Sequence, residues 1–157
     1  MTPPESSGTF ETALGSCQKP SDREVYAVLK AEETTVRRFY EAFAAKDWDT
    51  ARGCFTEDAV WHMPGRSPIA GDHRGWDAIM RDFFAKVAAL SGGTFRAELV
   101  DVLVGSHRVA AFQHATAERA GRKLDVTACQ VMSFRDGLIA DVRGHYSDQY
   151  QLDEFWS

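Results

Sequence analysis

The side chains best suited to chemistry in this sequence are His114 and Gln130. Each interrupts an alternating run of apolar residues: Ala110 and Phe112 before His114, Ala128 and Met132 around Gln130. An imidazole titrates near neutrality without perturbation, so His114 is the candidate general acid or base. An amide cannot titrate, but it can orient or polarise a substrate oxygen, which is the catalytic role open to Gln130. Left unpaired in a core, each would cost about 1–3 kcal/mol. Both therefore need partners: each other, Tyr40, Tyr146, an ordered water, or a ligand in a cavity. Trp61 can supply a flat apolar wall and the hydroxyls of Tyr40 and Tyr146 can fix orientation, while Met63, Phe112 and Met132 complete a candidate substrate-binding lining. His62 follows Trp61 on one strand and so points to the opposite face, toward a mouth or another layer, and is a further candidate substrate-binding residue. The five histidines show neither H-x-H nor H-x-x-x-H spacing and no glycine-rich phosphate loop occurs, so neither a metal nor a cofactor is expected.

Positioning these groups requires helices first and strands afterwards. Ser21 with Glu24 forms a capping box, and Val25, Val28, Leu29, Glu32, Val36, Phe39, Tyr40 and Phe43 recur at helical spacing up to about Ala45. Asp47 caps a short second helix that Gly53 ends. Ala59–Met63 reads as a strand stopped by Pro64-Gly65, and Arg66 to Gly75 as loop or hairpin. Trp76 to Leu90 carries a third helical stripe closed by Ser91-Gly92-Gly93. Four strands follow, Phe95–Val104, Arg108–Glu118, Lys123–Phe134 and Leu138–Tyr146, as a meander with turns at Gly105, Gly121 and Gly137. The layout is α+β, with helices covering one face of the sheet. Three-residue turns with a glycine bulge at Gly121 and Gly137 would set His114 opposite Val126 and Gln130 opposite Val142. Asp141, Arg143 and His145 would then face outward, toward solvent or a subunit contact.

Residues 1–20, rich in Pro, Ser, Thr and Gly, read as a flexible tail, and residues 21–157 as one domain. Eighteen basic and 23 acidic residues are mixed along the chain, leaving no basic stripe for a nucleic acid. No apolar run is long enough to span a membrane, and the N-terminus lacks the pattern of a secretory signal. Three widely spaced cysteines, Cys17, Cys54 and Cys129, make no disulfide framework, so a cytoplasmic location is expected.

The stretch Phe39-Tyr40-Glu41-Ala42-Phe43-Ala44-Ala45-Lys46-Asp47-Trp48, then Phe55-Thr56-Glu57-Asp58-Ala59-Val60-Trp61 and Gly71-Asp72-His73-Arg74-Gly75 before a helix, resembles the SnoaL-like group of the nuclear transport factor 2 superfamily. The closing segments Asp136-Gly137-Leu138-Ile139, Asp148-Gln149-Tyr150 and Asp153-Glu154-Phe155-Trp156 are similar too. The resemblance covers residues 30–157. It implies a curved, mixed but mainly antiparallel sheet wrapped around the N-terminal helices, a cone with a central pocket like that of ketosteroid isomerases. It also implies a small apolar organic ligand, a homodimer joined through the outer sheet face, and cofactor-free acid/base isomerisation, cyclisation, dehydration or hydrolysis, as in the secondary metabolism served by polyketide cyclases. Relatives without catalysis exist, so a ligand-binding module or a dimeric interaction domain stays open. Against that pattern, Met63 stands where ketosteroid isomerases carry their basic aspartate, and Gln130 where their oxyanion aspartate and the cyclases' acid/base aspartate sit. Asp141 and Arg143 match the residue types of the epoxide hydrolases but fall on the outward face. The dehydratases' histidines and tyrosines find their counterparts in His114, Tyr40 and Tyr146.

Overall fold

A computed structural model of the chain describes residues 19–157; the expected tail therefore lies almost wholly outside the described residues, Cys17 with it. Helix α1 (Asp22–Ala45) starts at the capping box: the Glu24 amide donates to Ser21 Oγ at 3.3 Å and the Ser21 amide to Glu24 Oε2 at 2.8 Å. It ends on Lys46, which takes the left-handed conformation at φ 58°. Its buried face begins only at Val36 and continues through Phe39, Tyr40 and Ala42, so Val25 and Val28, read as part of the apolar stripe, are exposed. Asp47 caps α2 (Trp48–Arg52) by accepting from the Thr50 amide at 3.1 Å.

Strands β1 (Phe55–Met63), β2 (Gly71–Arg74), β3 (Arg96–Val104), β4 (Val109–Arg119), β5 (Arg122–Arg135) and β6 (Leu138–Tyr146) form one sheet in the order β2-β1-β6-β5-β4-β3. All neighbours are antiparallel except β1 and β6, which run parallel with Trp61 beside Val142. Between β2 and β3 the chain forms α3 (Trp76–Ala78), widens into a π-helical segment over Ile79–Phe84, and returns to α4 (Ala85–Leu90). π segments are rare and occur frequently at functional sites; this one buries the consecutive Phe83 and Phe84 together. Helix α5 (Gln149–Trp156), which the periodicity did not reveal, packs Leu152, Phe155 and Trp156 into the core.

The turns decide which side chains face inward. Ala120 and Gly121 have φ of 48° and 78°, and Asp136 and Gly137 of 53° and 75°, so both hairpins close with two residues in positive φ rather than with the expected bulged three. In β4–β5, Arg119 pairs directly with Arg122 and His114 with Thr127, one residue away from the expected register. A one-residue slip exchanges the faces of a strand. Hence β4 turns Val109, Ala111, Gln113, Ala115 and Ala117 inward, and Phe112 and His114 outward. Small side chains thus meet the helices while the bulky ones leave the core. In β5–β6 the irregularity sits inside β6, so Gln130 pairs with Gly144 and Met132 with Val142. That is two residues from the expected partners, and it keeps Gln130, Met132 and Tyr146 on the inner face.

Candidate functional site

The hollow of the cone lies between α1, the π segment and the inner face of the sheet. Its walls are mainly rings: Phe39, Phe43, Trp61, Phe83, Phe84 and Phe95. The Trp61 ring sits 5.2 Å from both Phe83 and Phe84, edge-on to the latter at 74°. Such contacts fix ring orientation as well as filling space. The innermost free volume is about 30 Å³, room for a water or two. Through Phe43, Phe84, Val87, Phe95 and Ala97 it adjoins an outer cleft of about 480 Å³. A cleft of that size accepts a small organic molecule.

Four polar side chains reach the hollow. Tyr40, from α1, donates its hydroxyl to Gln113 Oε1 on β4 at 2.5 Å, both residues being buried. Beside it on the same face of the sheet, Gln130 Nε2 donates to the Tyr146 hydroxyl at 3.3 Å, and that hydroxyl donates to Met63 Sδ at 3.3 Å. Gln130 Oε1 and Trp61 Nε1 are buried with no hydrogen-bond partner. No residue lining the hollow is charged. Burial pushes the Tyr146 phenol up to about 12 against the opposing donation from Gln130, and raises Tyr40 further, with Tyr146 and Cys129 adding to the effect. At neutral pH both tyrosines are therefore neutral hydrogen-bonding groups.

The structure brings Tyr40, Trp61, Gln130 and Tyr146 together at the hollow and sets Met63 behind Tyr146. It does not bring His114 there. With the register shifted by one, His114 lies on the outer face, Nε2 2.7 Å from Asp125 Oδ1, and cannot be the acid or base of this cavity. Phe112 leaves with it to the outer face, 39% exposed and away from the hollow. Met132 is inside but fully buried in the core, away from the hollow. His62 also lies outside the hollow, held between two carboxylates: Nδ1 is 2.6 Å from Asp72 on β2 and Nε2 2.7 Å from Asp141 on β6. Arg143 holds the other oxygen of Asp141 at 3.2 Å, and the His62 hydrogen bond keeps the Asp72 carboxyl below its usual range. This is a clamp across β2, β1 and β6. His73, read as a loop residue, is instead buried on β2, where Nε2 bonds the Ile69 carbonyl at 2.9 Å and the ring stacks on Phe83.

Gln113 is the site residue that the sequence reading missed. Its signal was the alternation Val109, Ala111, Ala115, Ala117, a run of small apolar residues whose only polar member is Gln113. The rings of Phe39, Phe83 and Phe84 were legible as helical stripes but not as walls of a cavity.

The SnoaL-like domain family matches residues 36–142. Over 128 residues the chain is 31% identical to the uncharacterized protein Rv0034 of Mycobacterium tuberculosis, covering 81% of this chain and 97% of that one. Among solved structures, Bal32a, from a soil-derived mobile gene cassette, is 44% identical with a TM-score of 0.79, covering 83% of this chain and 99% of its own. A protein of unknown function with a cystatin-like fold from Xanthomonas campestris is 26% identical with a TM-score of 0.75, over 80% and 98% of the two chains.

Proposed function

The chain belongs to the SnoaL-like domain family, and on that premise we propose that its cone binds a small, uncharged, largely apolar organic molecule that enters through the outer cleft. The observation that carries this reading is the lining of the innermost hollow, aromatic walls with four polar side chains and no charge, the charged Lys46, Arg96 and Glu98 being confined to the outer cleft. Burying an ion there without a partner would cost several kcal/mol, which selects against charged ligands. Cofactor-free isomerisation, cyclisation, dehydration or hydrolysis is the second reading. It is favoured by the 2.5 Å Tyr40–Gln113 bond, which leaves the phenol oxygen able to accept and the Gln113 amide nitrogen able to donate. Such chemistry would work through neutral hydrogen bonds, because no group lining the hollow titrates near neutrality. Free Cys54 and Cys129 fit a reducing cytoplasm.

Equilibrium dialysis against naphthalene tests the binding reading: saturable uptake approaching one molecule per chain is expected. Uptake that stays linear to the solubility limit for naphthalene and for its substituted analogues alike removes it.

The outer face of the sheet supports pairing with a second copy. Val100, Leu103 and Phe112 are exposed large apolar residues of β3 and β4, on a sheet whose outer face also carries Arg143 and His145 on β6 and Glu98 on β3. A twofold pairing of such a face can bury the apolar patch on β3 and β4 and set opposite charges against each other. Arg143→Glu reverses one of these charges, and sedimentation of this variant is expected to shift from dimer to monomer. An unchanged mass rejects the role of Arg143.

A further inference from the structure

Two residues that line the innermost hollow each carry a buried polar atom without a partner, and the two are of opposite kind: Gln130 Oε1, which can only accept, and Trp61 Nε1, which can only donate. Their orientation is set by the surrounding bonds. Tyr146 gives its proton to Met63 Sδ, so its oxygen accepts from Gln130 Nε2, and this turns the amide so that Oε1 is left over. Gly144, opposite Gln130 in the sheet, leaves room for that arrangement: a Cβ there would stand 3.1 Å from Oε1 and 2.9 Å from the Tyr146 ring. Trp61 is fixed by ring contacts on several sides, so its N–H cannot swing away to find another partner.

We propose that the ligand carries an uncharged hydroxyl that enters the hollow first, donating to Gln130 Oε1 and accepting from the Trp61 indole N–H. This rests on the binding reading above and narrows it. A carboxylate has no proton to give and would be buried as an ion among rings. An ammonium cannot accept from the indole. A ketone or an ether accepts but does not donate. A hydroxyl is the smallest neutral group that does both, and a free volume of about 30 Å³ holds little more than a hydroxyl and the carbon bearing it. The apolar body of the molecule then occupies the outer cleft of about 480 Å³.

Four compounds of nearly one shape separate the possibilities by equilibrium dialysis: naphthalene, 2-naphthol, 2-methoxynaphthalene and 2-naphthoate. The expected result is 2-naphthol about tenfold tighter than naphthalene and 2-methoxynaphthalene, with 2-naphthoate not retained. Gln130→Leu and Trp61→Phe keep bulk and remove one polar atom each. In either variant, once melting by circular dichroism shows it folded, the ratio of naphthol to naphthalene affinity is expected to fall toward one. If naphthalene and the methyl ether bind as tightly as 2-naphthol, the hydroxyl inference fails while the binding reading stands. The inference also fails if both folded variants keep the naphthol preference. If none of the four binds, the binding reading falls and takes this inference with it.

Discussion

Trp156→Ala is expected to destabilise the fold by about 3–5 kcal/mol, the range for deleting a buried large aromatic. Trp156 is 1% exposed, with its ring 4.8 Å from Phe155 and 5.9 Å from Phe95. It anchors α5, whose start Asp148 caps through the Gln151 amide at 2.9 Å. The end of α5 is held by two arginines from the β4–β5 hairpin. Arg119 donates to the carbonyls of Phe155 and Ser157 at 3.1 Å, and Arg122 to that of Glu154 at 2.6 Å. At the other side, Asp153 accepts from the Arg66 amide at 2.8 Å and so ties the helix to the β1–β2 connection. Losing the indole therefore loosens three elements together. Urea unfolding followed by circular dichroism reads the loss, and thermal melting should show a fall of roughly 10–15 °C. Tyr150→Ala, on the same helix but 91% exposed, is the control and should change stability by less than about 0.5 kcal/mol. A loss below 1 kcal/mol for Trp156→Ala would mean that α5 is not held as described.

Gly144→Val is expected to weaken binding of 2-naphthol by about tenfold or more while the chain still folds. Gly144 is not among the glycines with positive φ, so valine fits its backbone. The obstacle is the space above it. A Cβ would meet Tyr146 Cε2 at 2.9 Å, Gln130 Oε1 at 3.1 Å and the Tyr146 hydroxyl at 3.3 Å, so the tyrosine and the amide must move into the hollow. Overpacking of this kind costs ~1–3 kcal/mol, and a ligand that must push the displaced groups back meets the same cost, roughly five- to 150-fold in affinity. Dialysis of the variant against 2-naphthol measures the effect. Unaltered affinity would separate the ligand from Gln130 and Tyr146.

What the sequence disclosed follows from where its signals are redundant. The capping box at Ser21, the stripe from Val36 to Phe43 and the strand runs up to Tyr146 each rest on several residues agreeing, and the family resemblance added the cone. Gln130 was assigned to the correct face although its expected partner was two residues off, because a two-residue shift preserves the alternation. His114 had no such protection. The choice between a two- and a three-residue turn at Ala120-Gly121 is a single-residue decision, and Ala120 at φ 48° is a conformation that L side chains disfavour. The sheet accepts that local cost because the slip puts Ala111, Ala115 and Ala117 against the helices and releases Phe112 from the core. That is a tertiary gain that no local pattern displays. Phe83 and Phe84 were legible as part of one helical stripe, but an apolar repeat does not distinguish the wall of a cavity from solid core.

The parallel pairing of β1 with β6 has a consequence for how the chain reaches this shape. The β4–β5 and β5–β6 hairpins close over two residues each and can form early, whereas β1 must wait for a strand near the other end of the chain. Closing so long a loop spends chain entropy before any contact repays it. Trp61 and its unpaired N–H are carried by β1, so the hollow comes into being only with this late step. Until then the inner face of the meander is an uncovered apolar surface, and a newly made chain is most exposed to self-association in that interval.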